Sequence, residues 1–187
     1  MNDFLEEYNI SNQIVDDLVG WYHRHEDEAI QGQIDANLID VNVKDSKDII
    51  IPSAFDEEPF YTYKRELHKC INLYADKFQI LKQIQVFGLI EPILIQKYSI
   101  GGGFKEYHTE RVGKFGNSIK RCLVFITYLN DVDDGGTEFG YYNKIVKAKK
   151  GKTLIFPVDW THMHRGQVSY TKEKIIITGW YSYAWDY

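Results

Sequence analysis

The sequence predicts a β-sandwich or barrel braced by helices on one sheet face. Helical periodicity is confined to the residues before about Phe78, whereas β-branched and aromatic residues dominate beyond residue 83, with turn signals at short intervals. Helices followed by many short strands are typical of this architecture. At 187 residues the chain has room for one good hydrophobic core and little room for a second.

Two amphipathic helices are predicted in the first part of the chain. From Ser11 to about His25 the apolar residues recur at helical spacing, and Ser11 is a suitable N-cap. A second helix is predicted from Tyr61 to about Phe78, where Leu67 and Tyr74 share one face. The helices are expected to support the β-structure that follows them.

The predicted strands are short runs of β-branched and aromatic residues between turn signals. They are Ile49–Ile51, Ile84–Phe87, Ile93–Tyr98, Lys120–Leu129, Lys144–Ala148, Thr153–Phe156 and Lys174–Tyr183. Turns are predicted where glycines interrupt these runs. They fall at Gly101–Gly103, Gly135–Gly136, Lys150–Gly151 and Arg165–Gly166.

Charge and composition exclude some functions. A net charge of −5 and a pI near 5.7 argue against general nucleic-acid binding, because affinity for phosphates needs clustered Lys and Arg. Cys70 and Cys122 lie beside apolar residues, which predicts two small buried thiols in a reducing compartment. No apolar stretch is long enough to cross a bilayer, so we expect no membrane partner and a cytoplasmic location.

A His-x-carboxylate pair is the first sign of chemistry. His108 and Glu110 follow a glycine turn where a strand is expected to begin, and residues two apart on a strand point to the same face. His25 and Asp27 have the same spacing, but they lie at the polar end of a predicted helix and are interpreted as solvated. A metal ion that contacts both His108 and Glu110 is therefore the hypothesis, with a surface His and Glu on an exposed strand as the alternative.

Several further segments occur in a definite order. They are Tyr98-Ser-Ile-Gly-Gly-Gly-Phe-Lys-Glu-Tyr-His108-Thr-Glu110, Arg121-Cys-Leu-Val-Phe-Ile-Thr-Tyr128-Leu-Asn130, Asp134-Gly135-Gly136-Thr-Glu-Phe139, Lys150-Gly151-Lys-Thr-Leu-Ile-Phe156 and His164-Arg-Gly-Gln-Val168. With Lys174 and Trp180, they make residues from about Gln83 to Tyr183 resemble the 2-oxoglutarate and Fe(II)-dependent oxygenases of the prolyl 4-hydroxylase-like branch. The resemblance implies a single dioxygenase domain, in which residues 1–82 are helical support and residues 83–187 form a double-stranded β-helix, a jelly-roll and cupin-like catalytic core.

The resemblance also implies a role for each matching residue. The implied metal ligands are His108, Glu110 and His164. His162 competes for the distal position, but only His164 matches the family's His-x-Gly-x-Val pattern. The implied cofactor-binding residues are Lys174, Tyr128 and Tyr98, and the residues expected in the pocket or beside the ligands are Thr178, Trp180 and His162. One departure stands out, because the branch normally has Asp where this chain has Glu110.

The implied reaction is hydroxylation of an unactivated C–H bond, most simply that of a peptidyl proline, with release of succinate and CO2. Fe(II), 2-oxoglutarate and O2 are the implied cofactors, with ascorbate as a reductant. The segment from Arg111 to Lys120, which includes Lys114, is interpreted either as a mobile loop that offers positive charge to substrate or as a solvated hairpin. Other interpretations stay open: a free amino acid or another small molecule as substrate, a catalytically silent jelly-roll that binds peptide or sugar, and a cupin-like metalloenzyme without 2-oxoglutarate.

Overall fold

The structure is a computed structural model that describes residues 3–34, 38–112 and 116–184. Its strands are β1 (Glu6–Asn9), β2 (Ile30–Gln31), β3 (Lys44–Asp45), β4 (Lys47–Ile51), β5 (Phe87–Gly88), β6 (Ile93–Tyr98), β7 (Gly103–Phe104), β8 (Arg121–Tyr128), β9 (Val132–Phe139), β10 (Lys144–Ala148), β11 (Lys152–Pro157), β12 (His164–Gly166) and β13 (Lys174–Tyr183). Its helices are α1 (Asn12–Arg24), α2 (Phe60–Lys77) and α3 (Ile80–Ile84), with 3-10 turns at Glu26–Glu28, Asn117–Lys120 and Trp160–His162.

The two long helices form where helical periodicity predicts them. The Ser11 side chain accepts a hydrogen bond from the Ile14 N–H and caps α1, as expected. Helix α2 buries one stripe, which includes the predicted Leu67 and Tyr74. Helix α3 was not predicted. Its last residue, Ile84, was predicted to begin the strand Ile84–Phe87. The observed strand is β5 (Phe87–Gly88), which overlaps the predicted range only at Phe87, so that prediction is wrong.

An antiparallel main sheet forms the centre of the fold. Its strands follow the order β1-β11-β8-β13-β6-β4-β2, and β5 pairs with one end of β13. Residues 1–82 were expected to supply helical support, yet they also supply β1, β2 and β4 of this sheet. No helix in the described ranges is long and apolar enough to cross a lipid bilayer.

A second sheet, in the order β10-β9-β12, contains residues that had been predicted as turns. Gly135 and Gly136 lie inside β9, and Arg165 and Gly166 lie inside β12, so both turn predictions are wrong. A Cβ atom on Gly136 would lie 2.4 Å from the Val146 carbonyl oxygen, a distance that no side chain tolerates. Glycine is present here because a neighbouring strand comes too close for a side chain.

Alternation along the central strands divides the core into two halves. On β8, Leu123 and Phe125 face a cluster that contains the α1 and α2 side chains, whereas Val124 and Ile126 face the second sheet. The helices therefore cover one face of the main sheet and the small sheet covers the other. This is the predicted jelly-roll braced by helices.

Candidate active site

A cavity of about 570 Å³ lies between the two sheets, on the face of the main sheet that the helices do not cover. Its volume is within the range of small-molecule sites. Four alternate residues of β13 line it, namely Lys174, Ile176, Thr178 and Trp180. Because side chains on a strand alternate between faces, this spacing brings every second residue of β13 into the cavity.

Two histidines and a glutamate converge in this cavity. Oε1 of Glu110 lies 3.4 Å from Nε2 of His108 and 3.5 Å from Nε2 of His164. One ligand atom from each of the three residues lies within 4.8 Å of the other two. Two imidazole nitrogens and one carboxylate oxygen on the same side of a site are the facial set that suits Fe(II) and leaves coordination positions open.

The imidazole rings are oriented by the main chain. Nδ1 of His108 lies 3.0 Å from the Glu106 carbonyl oxygen, and Nδ1 of His164 lies 2.9 Å from the His162 carbonyl oxygen. A carbonyl oxygen only accepts, so the proton of each neutral ring is on Nδ1 and the Nε2 lone pair is available to a cation. The donor set therefore fits a metal ion.

Main-chain pairing brings the two histidines together. The N–H of each one donates to the carbonyl oxygen of the other, at 2.9 and 3.0 Å. The ring of Phe104 stacks on the ring of His108, with 3.7 Å between centroids and an angle of 11°. His108 and Glu110 were expected at the start of a strand, but the structure gives only this isolated bridge at His108 and a bend at Glu110.

Electrostatics favour the forms that ligate metals. Burial raises the pKa of Glu110, but attraction to the adjacent His108 and His164 imidazoles when these carry an extra proton outweighs burial and leaves this pKa well below its ordinary value. Burial lowers the pKa of His164, although Glu110 opposes this effect. A carboxylate and a neutral imidazole at neutral pH are what metal ligation requires.

His162 lies outside the ligand set. Its Nδ1 is 2.9 Å from Oγ1 of Thr161, and its Nε2 is 3.0 Å from the Asp3 carbonyl oxygen. Of the two histidines in the Thr-His-Met-His segment, His164 is the one that faces the cavity. His162 instead supplies the carbonyl group that orients the His164 ring.

Lys174 is a buried cation in the same cavity. Its side chain lies beside Gly135, whose missing Cβ leaves room for the lysine stem, and the residue is 3% exposed. Nζ donates a 2.8 Å hydrogen bond to the Gln167 carbonyl oxygen and lies 5.0 Å from the centroid of the Tyr98 ring. No carboxylate of the described residues forms an ion pair with it. Burial lowers the pKa of Lys174 to about 8, and Asp134 opposes this only in part.

The two tyrosines differ in their access to the cavity. Tyr128 lines it, and its hydroxyl oxygen lies 2.6 Å from Oγ1 of Thr137. Tyr98 is paired with Lys174 across the strands, but its hydroxyl donates to Oε1 of Gln96 at 2.7 Å, and it is Gln96 that lines the cavity. A direct contact of Tyr98 with a cosubstrate was expected from the family resemblance, whereas in the structure only its ring approaches Lys174.

Thr178 and Trp180 lie in the cavity wall, as predicted. The Thr178 hydroxyl donates to the Phe125 carbonyl oxygen at 2.8 Å. The indole N–H of Trp180 donates to Oε2 of Glu110 at 3.0 Å, so this tryptophan contacts the carboxylate of the ligand cluster. The sequence alone places both residues near the site but gives no indication that Trp180 donates a hydrogen bond to Glu110.

The segment predicted as a substrate loop contributes other residues to the cavity wall than the two that were named. The Arg111 guanidinium donates to the Arg121 carbonyl oxygen and lies 3.0 Å from Asp159, so it does not line the cavity. Lys114 lies outside the described residues. The cavity wall on this side is instead formed by Val112 and Ser118.

Sequence reasoning missed two buried ion pairs in the wall. Arg121 forms a forked pair with Glu91, with a shortest contact of 2.7 Å, and Lys44 lies 2.6 Å from Asp48. For Arg121 there was one indication of importance in the sequence, since it begins the segment Arg121 to Asn130 that carries the family resemblance. Lys44 and Asp48 lie in a polar stretch that gave no indication of burial.

Comparison with known proteins identifies the class. Residues 93–182 match the sequence model of the 2OG-Fe(II) oxygenase superfamily. The matched segment contains His108, Glu110, His164 and Lys174, and together with the cluster of two histidines and a glutamate it supports a 2-oxoglutarate-dependent non-heme iron oxygenase that uses Fe(II), 2-oxoglutarate and O2. No curated protein matches the sequence.

Similar solved structures are prolyl hydroxylases. The viral collagen prolyl hydroxylase of Paramecium Bursaria Chlorella virus-1, solved as a 2OG complex, has a TM-score of 0.73 at 17% identity, with 97% of each chain covered. A Pseudomonas putida prolyl-4-hydroxylase has a TM-score of 0.74 at 15% identity, with 95% of this chain and 92% of that chain covered. A Trichoplax adhaerens prolyl hydroxylase, in complex with a hypoxia inducible factor peptide fragment, has a TM-score of 0.74 at 16% identity, with 97% and 84% covered. These similarities show that the fold is the prolyl-hydroxylase-like double-stranded β-helix.

Proposed function

We propose that this oxygenase hydroxylates a proline residue within a peptide or protein and releases succinate and CO2. The observation that carries the proposal is the His108, Glu110 and His164 cluster in one cavity with Lys174, a buried cation that forms no ion pair with a carboxylate of the described residues. The fold shared with prolyl hydroxylases supports the choice of substrate.

In this proposal His108, Glu110 and His164 hold Fe(II) through Nε2, Oε1 and Nε2. When bound with its cosubstrate, the metal supplies the oxidising chemistry that replaces an unactivated C–H bond with C–OH. The protein orients the ligands through the carbonyl groups of Glu106 and His162. The apolar walls between the sheets exclude water from the reacting C–H bond.

Lys174 is proposed to bind the far carboxylate of 2-oxoglutarate. A buried ammonium without a carboxylate partner is unfavourable, and an incoming carboxylate supplies the missing charge. Tyr128 is proposed to donate a hydrogen bond to the same carboxylate. When the Thr137 hydroxyl is the donor in their 2.6 Å contact, the phenol proton has only the Val146 carbonyl oxygen within reach, at 3.5 Å. Tyr98 contributes through its ring, which lies beside the Lys174 ammonium.

The charges in the cavity wall favour a peptide over a free amino acid. A free amino acid brings an ammonium and a carboxylate, and each of these needs a partner when it leaves water. The described charged side chains of the wall are already assigned: Lys44 is paired with Asp48, Arg121 is paired with Glu91, Lys174 is assigned to 2-oxoglutarate and Glu110 to the metal. A peptide segment is neutral at the reacting residue and needs no further charge.

The same proposal includes one dioxygenase domain and a cytoplasmic location. Both halves of the chain contribute strands to the main sheet, which supports one domain. Cys70 and Cys122 are free and buried, which supports a reducing compartment.

The test is formation of succinate from 2-oxoglutarate by the purified protein with Fe(II), O2 and ascorbate. Proline-containing peptides should raise succinate formation and gain one oxygen atom, whereas matched peptides with alanine in place of proline should not. His108→Ala should abolish both effects. If only free amino acids stimulate turnover, the peptide proposal is wrong and the oxygenase assignment stands. If the protein binds peptide equally well with His108→Ala and forms no succinate, it is a silent binding module.

A further inference from the structure

The carboxylate of Glu110 presents its two oxygens to different partners. Oε1 faces the two imidazole nitrogens, at 3.4 and 3.5 Å. Oε2 accepts the indole N–H of Trp180 at 3.0 Å and lies 3.7 Å from Nη1 of Arg121. The carboxylate is therefore held from the side opposite the proposed metal position.

A glutamate ligand needs such support more than an aspartate does. Its side chain is longer by one methylene group, about 1.5 Å, and has one more rotatable bond. The torsion at the carboxylate is broad, so an unsupported glutamate exchanges its oxygens or withdraws from the site at little cost. A donor that binds only Oε2 leaves Oε1 as the ligand atom and removes this freedom.

Trp180 is itself fixed in position. It lies on β13 opposite Val124 of β8, in the middle of the main sheet. The Arg121 guanidinium covers its ring, with 3.5 Å from Cζ to the ring centroid. An indole has one N–H and no acceptor, so in this pose Trp180 offers Glu110 a single donor in a single direction.

The arginine above the ring is fixed in turn. Arg121 donates to both carboxylate oxygens of Glu91, and the Ser182 hydroxyl donates to Oε1 of Glu91 at 3.0 Å. Ser182 lies opposite Arg121 in the β8–β13 register. Neighbouring strands thus carry a chain of contacts that ends at Oε2 of Glu110.

We propose that Trp180, held by Arg121 and Glu91, is a positioning residue that sets the longer Glu110 carboxylate to ligate the metal through Oε1 alone. The proposal rests on the metal site of the proposed function and goes beyond it, because it assigns Trp180 a role in orienting the glutamate ligand. With aspartate at position 110, the shorter side chain retreats from the indole and the support becomes unnecessary.

A double-mutant cycle on metal affinity tests this proposal. Mn(II) binding to the metal-free protein is measured from the free-ion EPR signal for wild type, W180F, E110D and W180F/E110D. The matched control is W21F, the same substitution at a partly buried tryptophan that packs against the helix-side core. W180F should raise the Mn(II) Kd by about tenfold or more, as is typical when a partner of a ligand is removed. In the E110D background the same substitution should change Kd by less than about twofold.

Each outcome has a definite meaning. An unchanged Kd in W180F, or an equal loss in both backgrounds, overturns the positioning role while the metal site stands. If wild type shows no Mn(II) binding that His108→Ala removes, the proposed function falls and this inference falls with it. Urea unfolding of each metal-free variant identifies a folding defect, and W180L, which has no side-chain hydrogen-bond donor, replaces W180F if that variant does not fold.

Discussion

Replacing Lys174 with methionine should stabilise the ligand-free protein and remove its affinity for 2-oxoglutarate. Burial lowers the pKa of Lys174 from its ordinary 10.5 to about 8, and this difference corresponds to a penalty of about 3 kcal/mol for the charged form at neutral pH. Methionine has a similar volume and no charge. The substitution also removes the hydrogen bond to Gln167 and the contact with the Tyr98 ring, which together cost about 1–2 kcal/mol. The expected net gain is about 1–2 kcal/mol.

The assay is urea unfolding without metal or cosubstrate, together with titration of 2-oxoglutarate into the metal-loaded protein. Lys172→Met is the matched control, because Lys172 is exposed two residues away and should change the free energy of unfolding by less than about 0.5 kcal/mol. Both lysine variants should keep their metal affinity. A Lys174→Met protein that is less stable than wild type, or that binds 2-oxoglutarate as tightly, would refute the reasoning.

The pH dependence gives a second check on Lys174. Between about pH 8 and pH 10.5 the unfolded chain keeps the lysine proton while the folded chain has lost it. Because the unfolded state then binds more protons, the penalty that Lys174 imposes on the free energy of unfolding of wild type becomes smaller as pH rises through this window. The stability advantage of Lys174→Met should therefore be largest below pH 8 and shrink toward pH 10.5. The affinity of wild type for 2-oxoglutarate should fall above pH 8, because the carboxylate needs the protonated amine.

Three further substitutions test other parts of the site. Lys44→Met leaves the buried Asp48 carboxylate without its cation and should lower the free energy of unfolding by about 3–5 kcal/mol in urea titrations; a loss under 1 kcal/mol would mean that the pair is solvated. Tyr128→Phe should weaken 2-oxoglutarate binding by about tenfold in calorimetry with little change in metal affinity, whereas an unchanged affinity would restrict its hydroxyl to a structural role. Gly136→Ala should lower the thermal midpoint of unfolding by several degrees, because the added Cβ would meet the Val146 carbonyl oxygen and prevent normal pairing of β9. An unchanged midpoint would contradict this close approach.

Local periodicity was sufficient for much of the fold. The helix-side stripe of α2 follows from the helical spacing of its apolar residues, and the strand β8 follows from its run of β-branched and aromatic residues; both elements were predicted. The prediction of a strand at Ile84–Phe87 was wrong, because Ile84 ends a short helix. Over so few residues the spacing of apolar side chains does not distinguish a helix from a strand. The glycines of β9 were interpreted as turn signals, although Gly136 lies against the Val146 carbonyl oxygen of β10 and Gly135 lies against the side chains of Val132 and Lys174.

The candidate site was predictable as a set of residues but not as a geometry. His108, Glu110, His164 and Lys174 were named from motif order, and they share one cavity. The argument that placed His108 and Glu110 on one strand face was wrong, because a main-chain bridge to His164 fixes this segment instead. Such long-range pairing leaves no local pattern. The same holds for the contact between Trp180 and Glu110, which joins residues seventy positions apart.

The ligand-free site contains groups whose arrangement is unfavourable until partners bind. Among the described residues, no carboxylate pairs with the buried cation of Lys174, and His108 and His164 both turn an unprotonated nitrogen toward Oε1 of Glu110. A metal ion satisfies the nitrogens and a dicarboxylate satisfies the lysine, so each should stabilise the folded state by an amount that grows with the logarithm of its free concentration above Kd. The gain with both ligands present should exceed the sum of the separate gains, because a cosubstrate that also ligated the metal would be held at both ends if Lys174 binds its far carboxylate as proposed. In Lys174→Met the metal should still raise the thermal midpoint, and 2-oxoglutarate should add almost nothing to it.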